Sequence, residues 1–337
     1  IEVNKMRLDI CSLGNAIVDV QFSIDEEFVS ELQKKSIHKG SMTLVEPNEQ
    51  KRLIELLRQK YEEPILACGG SVTNSIMAAA SFGSKCHVSC KVSNDEYGNF
   101  FLEDLTTNKI YHSIIATISN LPTGRCVVMV SEDAERTMCT YLGISNELAK
   151  EDIDIEAIKA SKYLFIEGYL VTSPSALKAC STAIKEAKKS NTKVAISLSA
   201  AFIADSFKAE LQSLLDLECD LLLCNESEAL AYTDCKNLTE AEKNLRSVSF
   251  CNLITLGKKG CLTWDGSKLN HIHGYKANAI DTNGAGDMFA GAVLHQLSEG
   301  QTLNKSAKFG CYAASKKVEK FGPRLSSQEY KDIKLEF

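Results

Sequence analysis

The sequence predicts an α/β fold in which helices cover a doubly wound, mostly parallel sheet, accompanied by a second, smaller β-sheet. The first observation is a series of short apolar runs at 8–13, 87–92, 163–166, 194–198, 221–224 and 253–256. The second is that segments of helical length and period, such as 174–189 and 239–246, lie between most of these runs. Strands that alternate with helices in this way form parallel sheets with both faces covered.

The residues that follow the apolar runs are glycine or polar. They are Gly14, Asn15, Glu167, Gly168, Ser199, Asn225, Glu226 and Gly257. In open α/β sheets, ligands bind beyond the carboxyl ends of the strands. We therefore expect one edge of the large sheet to carry an active site.

Two regions, 41–45 and 123–142, depart from this rhythm and show the alternation that is typical of strands. The second of them contains a turn at 132–135, as a hairpin would. We expect a small discontinuous domain that carries the second sheet and a large domain that carries the first. The predicted boundaries are 15–45 and 105–145 for the small domain, and 5–14, 46–104 and 146–337 for the large domain.

At 337 residues, with 44% apolar and 24% charged residues, the chain is typical of a globular protein of about two domains. The net charge of −6 argues against nucleic-acid binding, which favours a basic face. No apolar run approaches the roughly 18–20 residues of a membrane span, and residues 1–6 lack the features of a signal peptide. The thirteen cysteines include no Cys-x-x-Cys pair and the six histidines no zinc spacing, so we expect a cytoplasmic protein without a metal cluster.

The strongest chemical signal is the run Asp-Thr-Asn-Gly-Ala-Gly-Asp at 281–287, which leads into a helical pattern. Gly284, Ala285 and Gly286 are expected to form the first turn of that helix, with N–H groups that bind an anion such as phosphate. A lone carboxylate at Asp287 would ordinarily complement the helix dipole. Beside an anion hole, however, it is suited to take the proton from a hydroxyl during phosphoryl transfer.

This run resembles the signature of the ribokinase-like, PfkB-type kinases of carbohydrates and nucleosides, and Asn283 at its variable position is most similar to the adenosine kinase branch. The resemblance extends over nearly the whole chain, from Asn15 to Arg324. It implies a ribokinase-like fold in which the small sheet is a lid over the acceptor. It also implies a phosphotransferase that uses ATP and Mg²⁺, with Asp287 as the catalytic base.

Further motifs match the family's acceptor site. The run that contains Gly69, Gly70 and Asn74 resembles the Gly-Gly-x-x-x-Asn motif, although a glycine turn with a helix cap is an alternative. Asp19 matches the Asp that clasps the ribose hydroxyls in adenosine kinases, since a carboxylate can accept two O–H donors; a turn residue is the alternative. The acceptor contacts that the resemblance implies are Asn15, Asp19, Gly69, Gly70, Asn74 and Asn283.

Other matches concern the nucleotide and its metal. Asn225 and Glu228 match the Asn-x-x-Glu motif that holds Mg²⁺ and its waters, while a helix N-cap is the ordinary alternative. Arg136 matches an Arg of adenosine kinases that reaches the phosphates, and a surface salt bridge is its alternative. The segment 321–324 resembles one that borders adenine and, in many members, a monovalent cation such as K⁺. The nucleotide contacts that the resemblance implies are Asn225, Thr255, Gly257, Gly260 and Ala314.

The chain departs from the adenosine kinase pattern at 71–73, Ala201 and Cys311, and these positions bear on the acceptor rather than on phosphoryl transfer. The dinucleotide motif Gly-x-Gly-x-x-Gly follows no strand and the P-loop motif is absent, which excludes a Rossmann dehydrogenase and a P-loop kinase.

Adenosine is the predicted acceptor, and ribose, fructose or a related ketose is the alternative. A silent regulator on the same fold would be expected to lose Asp287 or the glycines. The sequence leaves a monomer and a homodimer equally open.

Overall fold

The computed structural model describes residues 7–133 and 135–337. Residues 1–6, which bear on the signal-peptide prediction and include the start of the predicted large domain, lie outside the described residues. So does Ala134 in the predicted turn at 132–135.

Strands and helices alternate along most of the chain. The strands are β1 (Leu8–Leu13), β2 (Ile17–Ser23), β3 (Met42–Leu44), β4 (Ile65–Gly69), β5 (Cys86–Ser89), β6 (Gly124–Val130), β7 (Arg136–Tyr141), β8 (Ser161–Glu167), β9 (Lys193–Ser197), β10 (Leu221–Asn225), β11 (Cys251–Thr255), β12 (Cys261–Trp264) and β13 (Leu269–Ile272). The helices are α1 (Glu26–Lys34), α2 (Pro47–Lys60), α3 (Ser71–Phe82), α4 (Glu96–Thr107), α5 (Ile155–Lys159), α6 (Pro174–Lys189), α7 (Ala201–Ser206), α8 (Lys208–Leu215), α9 (Glu226–Thr233), α10 (Leu238–Leu245), α11 (Ala285–Ser298), α12 (Leu303–Lys317) and α13 (Ser327–Glu336).

The large sheet has eight strands in the order β13-β12-β11-β10-β9-β8-β1-β5. All six predicted apolar runs lie in it, and their strands pair in parallel. The two remaining strands, β12 and β13, extend one edge as an antiparallel hairpin. The predicted mostly parallel α/β fold is therefore confirmed.

Both faces of this sheet are covered, which explains why its strands are apolar throughout. In β8, Leu164 and Ile166 pack into one core with helices α5 to α10, while Tyr163 and Phe165 pack into a second core with α3, α4, α11 and α12. Helices α3 and α11 cross closely, since a Cβ on Gly291 would lie 2.2 Å from the carbonyl oxygen of Ser75. This crossing brings the first turns of α3 and α11 together at the carboxyl edge of the sheet.

The small sheet has five strands in the order β3-β7-β6-β2-β4, and α1 and α2 pack against one of its faces. The predicted strands at 41–45 and 123–142 are present as β3, β6 and β7. The strand β4 and the helix α2, which the predicted boundaries placed in the large domain, belong instead with the small sheet. The alternative interpretation of Asp19 as a turn residue is wrong, because Asp19 lies in the middle of β2.

The described residues also bear on the expectations from composition. All thirteen cysteines lie within the described ranges, and each of them is free of a disulfide. No group of three or more His, Cys, Asp or Glu side chains that could hold a metal ion occurs in the part of the chain that the structure covers. Among the helices of residues 7–133 and 135–337, none is sufficiently long and apolar to cross a membrane.

Candidate active site

The first turn of α11 is built from the glycine-rich run. Gly284 is the N-cap residue and has a left-handed φ of 73°, and no side chain caps the helix. The N–H of Ala285 donates to the carbonyl of Thr282 at 3.1 Å, whereas the N–H groups of Gly286 and Asp287 find no acceptor among the described residues. Of the three predicted N–H donors, that of Ala285 is paired, whereas those of Gly284 and Gly286 find no acceptor among the described residues. The structure adds the N–H of Asp287 to the unpaired groups.

The carboxylate of Asp287 is held by the first turn of α3. The hydroxyl of Ser71 donates to Oδ1 at 2.6 Å, and the amide of Asn74 donates to Oδ2 at 3.1 Å. Removal from water raises the pKa of Asp287, while these two hydrogen bonds and the charges of Arg324 and Lys317 act in the opposite direction. A fixed carboxylate with a raised pKa is a stronger proton acceptor than an exposed one, as general base catalysis requires.

A cavity of about 320 Å³, which we call the β2 cavity, opens in front of Asp287. Its polar lining comprises Asn15, Asp19, Ser71, Asn74, Thr140, Glu167, Tyr169, Thr172, Ser199, Asn283 and Asp287, with the backbone of Gly70, Gly284 and Gly286. Its apolar lining comprises Ile17, Met42, Leu44, Cys126, Met138, Leu142, Phe202 and Ile203. Of the six predicted acceptor contacts, five line this cavity, and only Gly69 does not.

Gly69 acts from behind the cavity by making room for Asp19. A Cβ on Gly69 would lie 2.6 Å from Oδ1 of Asp19, so only glycine allows this carboxylate its position on β2. The oxygens of Asp19 accept no hydrogen bond from the described residues and face the cavity. Loss of water raises the pKa of Asp19 to about 7, although Arg324 and Arg136 oppose the shift.

A buried carboxylate ties the other acceptor residues together. Oε1 of Glu167, at the end of β8, accepts from the backbone N–H of Asn15 at 2.7 Å and from its side-chain amide at 2.8 Å. Oε2 accepts from the N–H of Val72 at 3.0 Å, in the first turn of α3. Burial raises the pKa of Glu167 to about 7. The backbone of Gly70, with a φ of 89°, passes so close to the carbonyl of Asn15 that a Cβ there would lie 2.5 Å from it.

A second cavity of about 310 Å³, which we call the α12 cavity, lies on the other side of the α11 N-terminus. It is lined by Thr255, Gly257, Lys258, Gly260, Gly274, Tyr275, Ala277, Ala279, Thr282, Ala285, Gly286, Phe289, Cys311, Ala314, Ser315 and Val318. Four of the predicted nucleotide contacts, Thr255, Gly257, Gly260 and Ala314, are in this set. Gly286 lines both cavities, so the two meet at the unpaired N–H groups.

Asn225, the fifth predicted nucleotide contact, lines neither cavity. It caps α9, where its Oδ1 accepts from the N–H of Glu228 at 2.8 Å and its own N–H donates to the Glu228 carboxylate at 3.0 Å. Burial raises the pKa of Glu228 to about 7, and the charge of Glu228 contributes to a raised pKa of Tyr169, which lines the β2 cavity. An amide and a carboxylate oxygen are the ligand types that suit Mg²⁺ held through water, and in the structure both side chains are engaged in the cap of α9.

Arg136 also lies outside both cavities. Its Nη2 donates to Oδ2 of Asp281 at 2.8 Å in a buried ion pair, and its guanidinium stacks on Phe321 with 4.7 Å to the ring centroid. The other oxygen of Asp281 accepts from the N–H of Asn283 at 2.9 Å. Arg136 therefore joins strand β7 of the small sheet to the start of the glycine-rich run, and it is not a surface salt bridge.

The sequence did not indicate three contacts of this site: those of Ser71 with Asp287, of Glu167 with Asn15 and Val72, and of Arg324 with Asn74. Ser71 departs from the family's acceptor motif, yet its hydroxyl contacts Asp287 across 216 residues of sequence. A serine directly after two glycines at a strand end was the available signal for it. Arg324 donates from Nε to Oδ1 of Asn74 at 2.9 Å, a contact that no spacing in the sequence indicates.

Comparison with known proteins identifies this architecture. Residues 50–329 match the model of the pfkB family of carbohydrate kinases. Adenosine kinase from Saccharomyces cerevisiae is 24% identical, over 96% of this chain and 98% of the relative, and ribokinase from Staphylococcus aureus is 28% identical, over 77% and 84%. The crystal structure of adenosine kinase from Sinorhizobium meliloti superposes with a TM-score of 0.89 at 28% identity and covers 98% of this chain and 100% of that one.

The family match covers most of the chain, and the structural match confirms the ribokinase-like fold. Kinases of this family use ATP as the co-substrate and an alcohol group as the acceptor. The chain therefore belongs to the pfkB family of carbohydrate kinases and is a phosphotransferase that acts on an alcohol group.

Proposed function

We propose that this protein is a nucleoside kinase that transfers the γ-phosphate of ATP to the 5′-hydroxyl of adenosine. The observation that carries the proposal is the mixed lining of the β2 cavity. Its polar residues, among them Asp19, Asn74 and Asp287, suit the hydroxyls of a ribose. Its apolar residues, among them Met138 and Phe202, suit a flat nucleobase that a free sugar does not have.

The proposed mechanism assigns the proton transfer to Asp287. The 5′-hydroxyl lies against this carboxylate, gives up its proton to it and attacks the γ-phosphorus, and ADP leaves. Ser71 and Asn74 fix the carboxylate, and Asp19 accepts hydrogen bonds from the ribose hydroxyls. This positioning matters because orientation supplies much of the rate in phosphoryl transfer.

The charge that develops on the transferred group would be stabilised at the N-terminus of α11. The unpaired N–H groups of Gly286 and Asp287 and the helix dipole are available there, at the junction of the two cavities. Arg136 would act on this site indirectly, because its ion pair with Asp281 holds the start of the run 281–287 that carries these N–H groups.

ATP would occupy the α12 cavity, with adenine against Ala314 and the phosphates directed towards Gly286. Asn225 and Glu228 would hold Mg²⁺ through water, and the ion would neutralise charge on the phosphates. No contact in the described residues selects a monovalent cation, so K⁺ stays a prediction, as do the division into two domains, the cytoplasmic location and the choice between monomer and homodimer.

A sugar kinase is the second candidate, favoured by the 28% identity to the Staphylococcus aureus ribokinase. It would use the same base and anion site with a different acceptor. A catalytically silent regulator is not favoured, because Asp287 and the glycines of the run are all present.

The test is ATP consumption with Mg²⁺ against adenosine, other nucleosides, ribose, fructose and fructose phosphates. We expect turnover with adenosine to exceed that with any sugar. Phe202→Ala should raise the KM for adenosine by roughly tenfold or more, because a nucleobase that covers this half-exposed ring would gain an aromatic contact of about 1–3 kcal/mol. Phe250→Ala is the matched control, because Phe250 is an exposed aromatic that precedes β11 at the opposite edge of the sheet.

Turnover with a sugar and none with nucleosides would overturn the acceptor assignment and leave the phosphotransferase in place. An equal effect of the two Phe variants on the KM for adenosine would also contradict the proposed contact between Phe202 and the adenine ring of the acceptor.

A further inference from the structure

Arg324 lies in the segment between α12 and α13 and reaches across to two other helices. Its Nε donates to Oδ1 of Asn74 in α3 at 2.9 Å, and its Nη1 donates to Oδ2 of Asp104 in α4 at 2.7 Å. The ion pair with Asp104 is largely sheltered from water, with side-chain exposures of 20% for Arg324 and 24% for Asp104. The guanidinium is therefore anchored at one end and free to orient Asn74 with the other.

The contact with Arg324 decides which end of the Asn74 amide faces Asp287. An amide has one oxygen, which only accepts, and one NH₂ group, which only donates. Because the oxygen is occupied by the Arg324 donor, the NH₂ group points to Asp287 and donates to Oδ2 at 3.1 Å. In the reverse orientation, the amide oxygen would face the carboxylate and repel it.

We infer that Arg324 is a positioning residue for phosphoryl transfer, which fixes the amide of Asn74 and through it the carboxylate of Asp287. The inference rests on the proposed role of Asp287 as the base. Arg324 lines neither cavity, so it acts through Asn74 and through its charge rather than by contact with the substrate.

The charge of Arg324 has a second consequence at the same carboxylate. The groups around Asp287 are Ser71 and Asn74 from α3, Lys317 from α12, Arg324, Tyr169, and the carboxyls of Asp19 from β2 and Glu167 from β8. Among the charged groups around Asp287, Arg324 lowers the pKa of Asp287 the most. Removing this charge should raise that pKa further and move the acid limb of the pH–rate profile to higher pH.

The experiment compares the parent with Arg324→Gln, Arg324→Lys, Asn74→Ala and the Arg324→Gln/Asn74→Ala double variant. We expect Arg324→Gln to lower kcat by about 10- to 100-fold, the usual cost of a misplaced catalytic group, with the KM for ATP nearly unchanged. The acid limb of kcat should move to higher pH in Arg324→Gln and return towards the parent position in Arg324→Lys, which keeps the charge but loses the planar fork.

The double variant tests the route of action. If Arg324 positions Asp287 through Asn74, Arg324→Gln should cost little further activity once Asn74 is alanine, when both are measured on the pH plateau above the acid limb, so that the two effects are not additive. Arg246→Gln is the matched control, because Arg246, directly after α10, also forms a partly buried ion pair with Glu242, and neither residue lines either cavity. This control should lower stability without moving the pH profile.

An unmoved acid limb together with additive losses would overturn the inference, even if stability fell. Asp287→Asn, measured alongside, separates this outcome from a failure of the proposed mechanism. Near-parent turnover of Asp287→Asn would refute Asp287 as the base, whereas an inactive Asp287→Asn with an unmoved Arg324→Gln profile would refute only the role of Arg324. If Arg324→Gln does not fold, Arg324→Lys replaces it, alone and combined with Asn74→Ala. Additive losses of kcat in these two variants would then overturn the inference.

Discussion

Two helices, α9 and α11, begin beyond the carboxyl edge of the large sheet with an acid in the first turn, and their ends differ. At α9, Asn225 and Glu228 satisfy each other's backbone and side-chain groups in a capping box. At α11, the N-cap is Gly284, which has no side chain to offer, and the N–H groups of Gly286 and Asp287 stay unpaired among the described residues. The residue at the N-cap thus decides whether a helix end is closed on itself or available to an anion.

The two acids differ in the same way. Glu228 binds its own helix, whereas Asp287 turns away from its helix and accepts hydrogen bonds from Ser71 and Asn74 of α3. A raised pKa is common to both, because both are removed from water. A raised pKa alone therefore does not distinguish the proposed catalytic base, Asp287, from a carboxylate that caps its own helix, Glu228. The hydrogen-bond partners of each carboxylate do distinguish them.

The largest difference between the two helices is expected in kcat, when Asp287 and Glu228 are each replaced by the corresponding amide. Asp287→Asn should lower kcat by about 100- to 10,000-fold, because an amide cannot take the proton of the attacking hydroxyl. Glu228→Gln should instead raise the Mg²⁺ concentration needed for half-maximal rate, by about tenfold, and lower kcat at saturating Mg²⁺ far less. The measurement is steady-state kinetics at several Mg²⁺ concentrations, and equal losses of kcat would remove the distinction between the two helices.

The glycines of α11 sharpen the comparison. Beyond its chain neighbours and the backbone of its own helix, no atom lies within 4 Å of a Cβ added at Gly286, so Gly286→Ala should leave the fold intact and stabilise it by about 0.5–1 kcal/mol. The added methyl would nevertheless fill the junction of the two cavities and lower kcat by roughly 100-fold. Thermal denaturation and kinetics on the same sample check both effects.

Gly284→Ala, in contrast to Gly286→Ala, should lower the stability of the fold. Its left-handed φ disfavours alanine, and the new Cβ would lie 2.6 Å from the carbonyl oxygen of Pro323. We expect a loss of about 1–2 kcal/mol in the free energy of unfolding. Equal stability of the Gly284→Ala and Gly286→Ala variants would contradict this geometry.

The smallest effect concerns stability against pH. The pKa of Glu228 is about 7 in the folded protein and close to 4.5 when unfolded, so the folded state binds the proton more tightly. Its contribution to stability is therefore present below pH 4.5 and is lost as pH rises to about 7, by an amount on the order of 1–3 kcal/mol.

Glu228→Gln should make the free energy of unfolding fall less steeply with pH over this range. Asp19 and Glu167, with similar pKa values of about 7, would maintain part of the slope. Urea denaturation at pH 5, 6, 7 and 8 measures the slope of the free energy of unfolding against pH. The control is Glu226→Gln, in the same turn of α9. Equal slopes in the Glu228 variant and this control would contradict the raised pKa of Glu228.

The interior of the fold was predictable from sequence because burial on both faces leaves an unbroken apolar run. Strands β1, β8, β9, β10 and β11 each carried this signal. The strand β2 did not, since Asp19 interrupts its apolar pattern in order to face the cavity. The strand β4 fell within the predicted boundaries of the large domain although it pairs with β2 of the small sheet, because its partner is set by tertiary contacts and not by its own residues.

The site was predictable where one local segment supplies it. The run at 281–287 specifies its own turn, so Gly284 and Asp287 could be assigned from the residues of that run alone. The contacts of Ser71 with Asp287 and of Arg324 with Asn74 span 216 and 250 residues, and only the packing of distant helices creates them. Local patterns cannot report such contacts, because they depend on how remote elements come together.

The most direct test of Asp287 as the base is the rate of the first turnover, measured by rapid quench with ATP and acceptor both bound. This rate isolates phosphoryl transfer from binding and from product release. We predict that Asp287→Asn binds ATP with an affinity close to that of the parent and transfers its phosphate at least about 100-fold more slowly. A first turnover within tenfold of the parent rate would contradict the assignment of Asp287 as the residue that takes the proton.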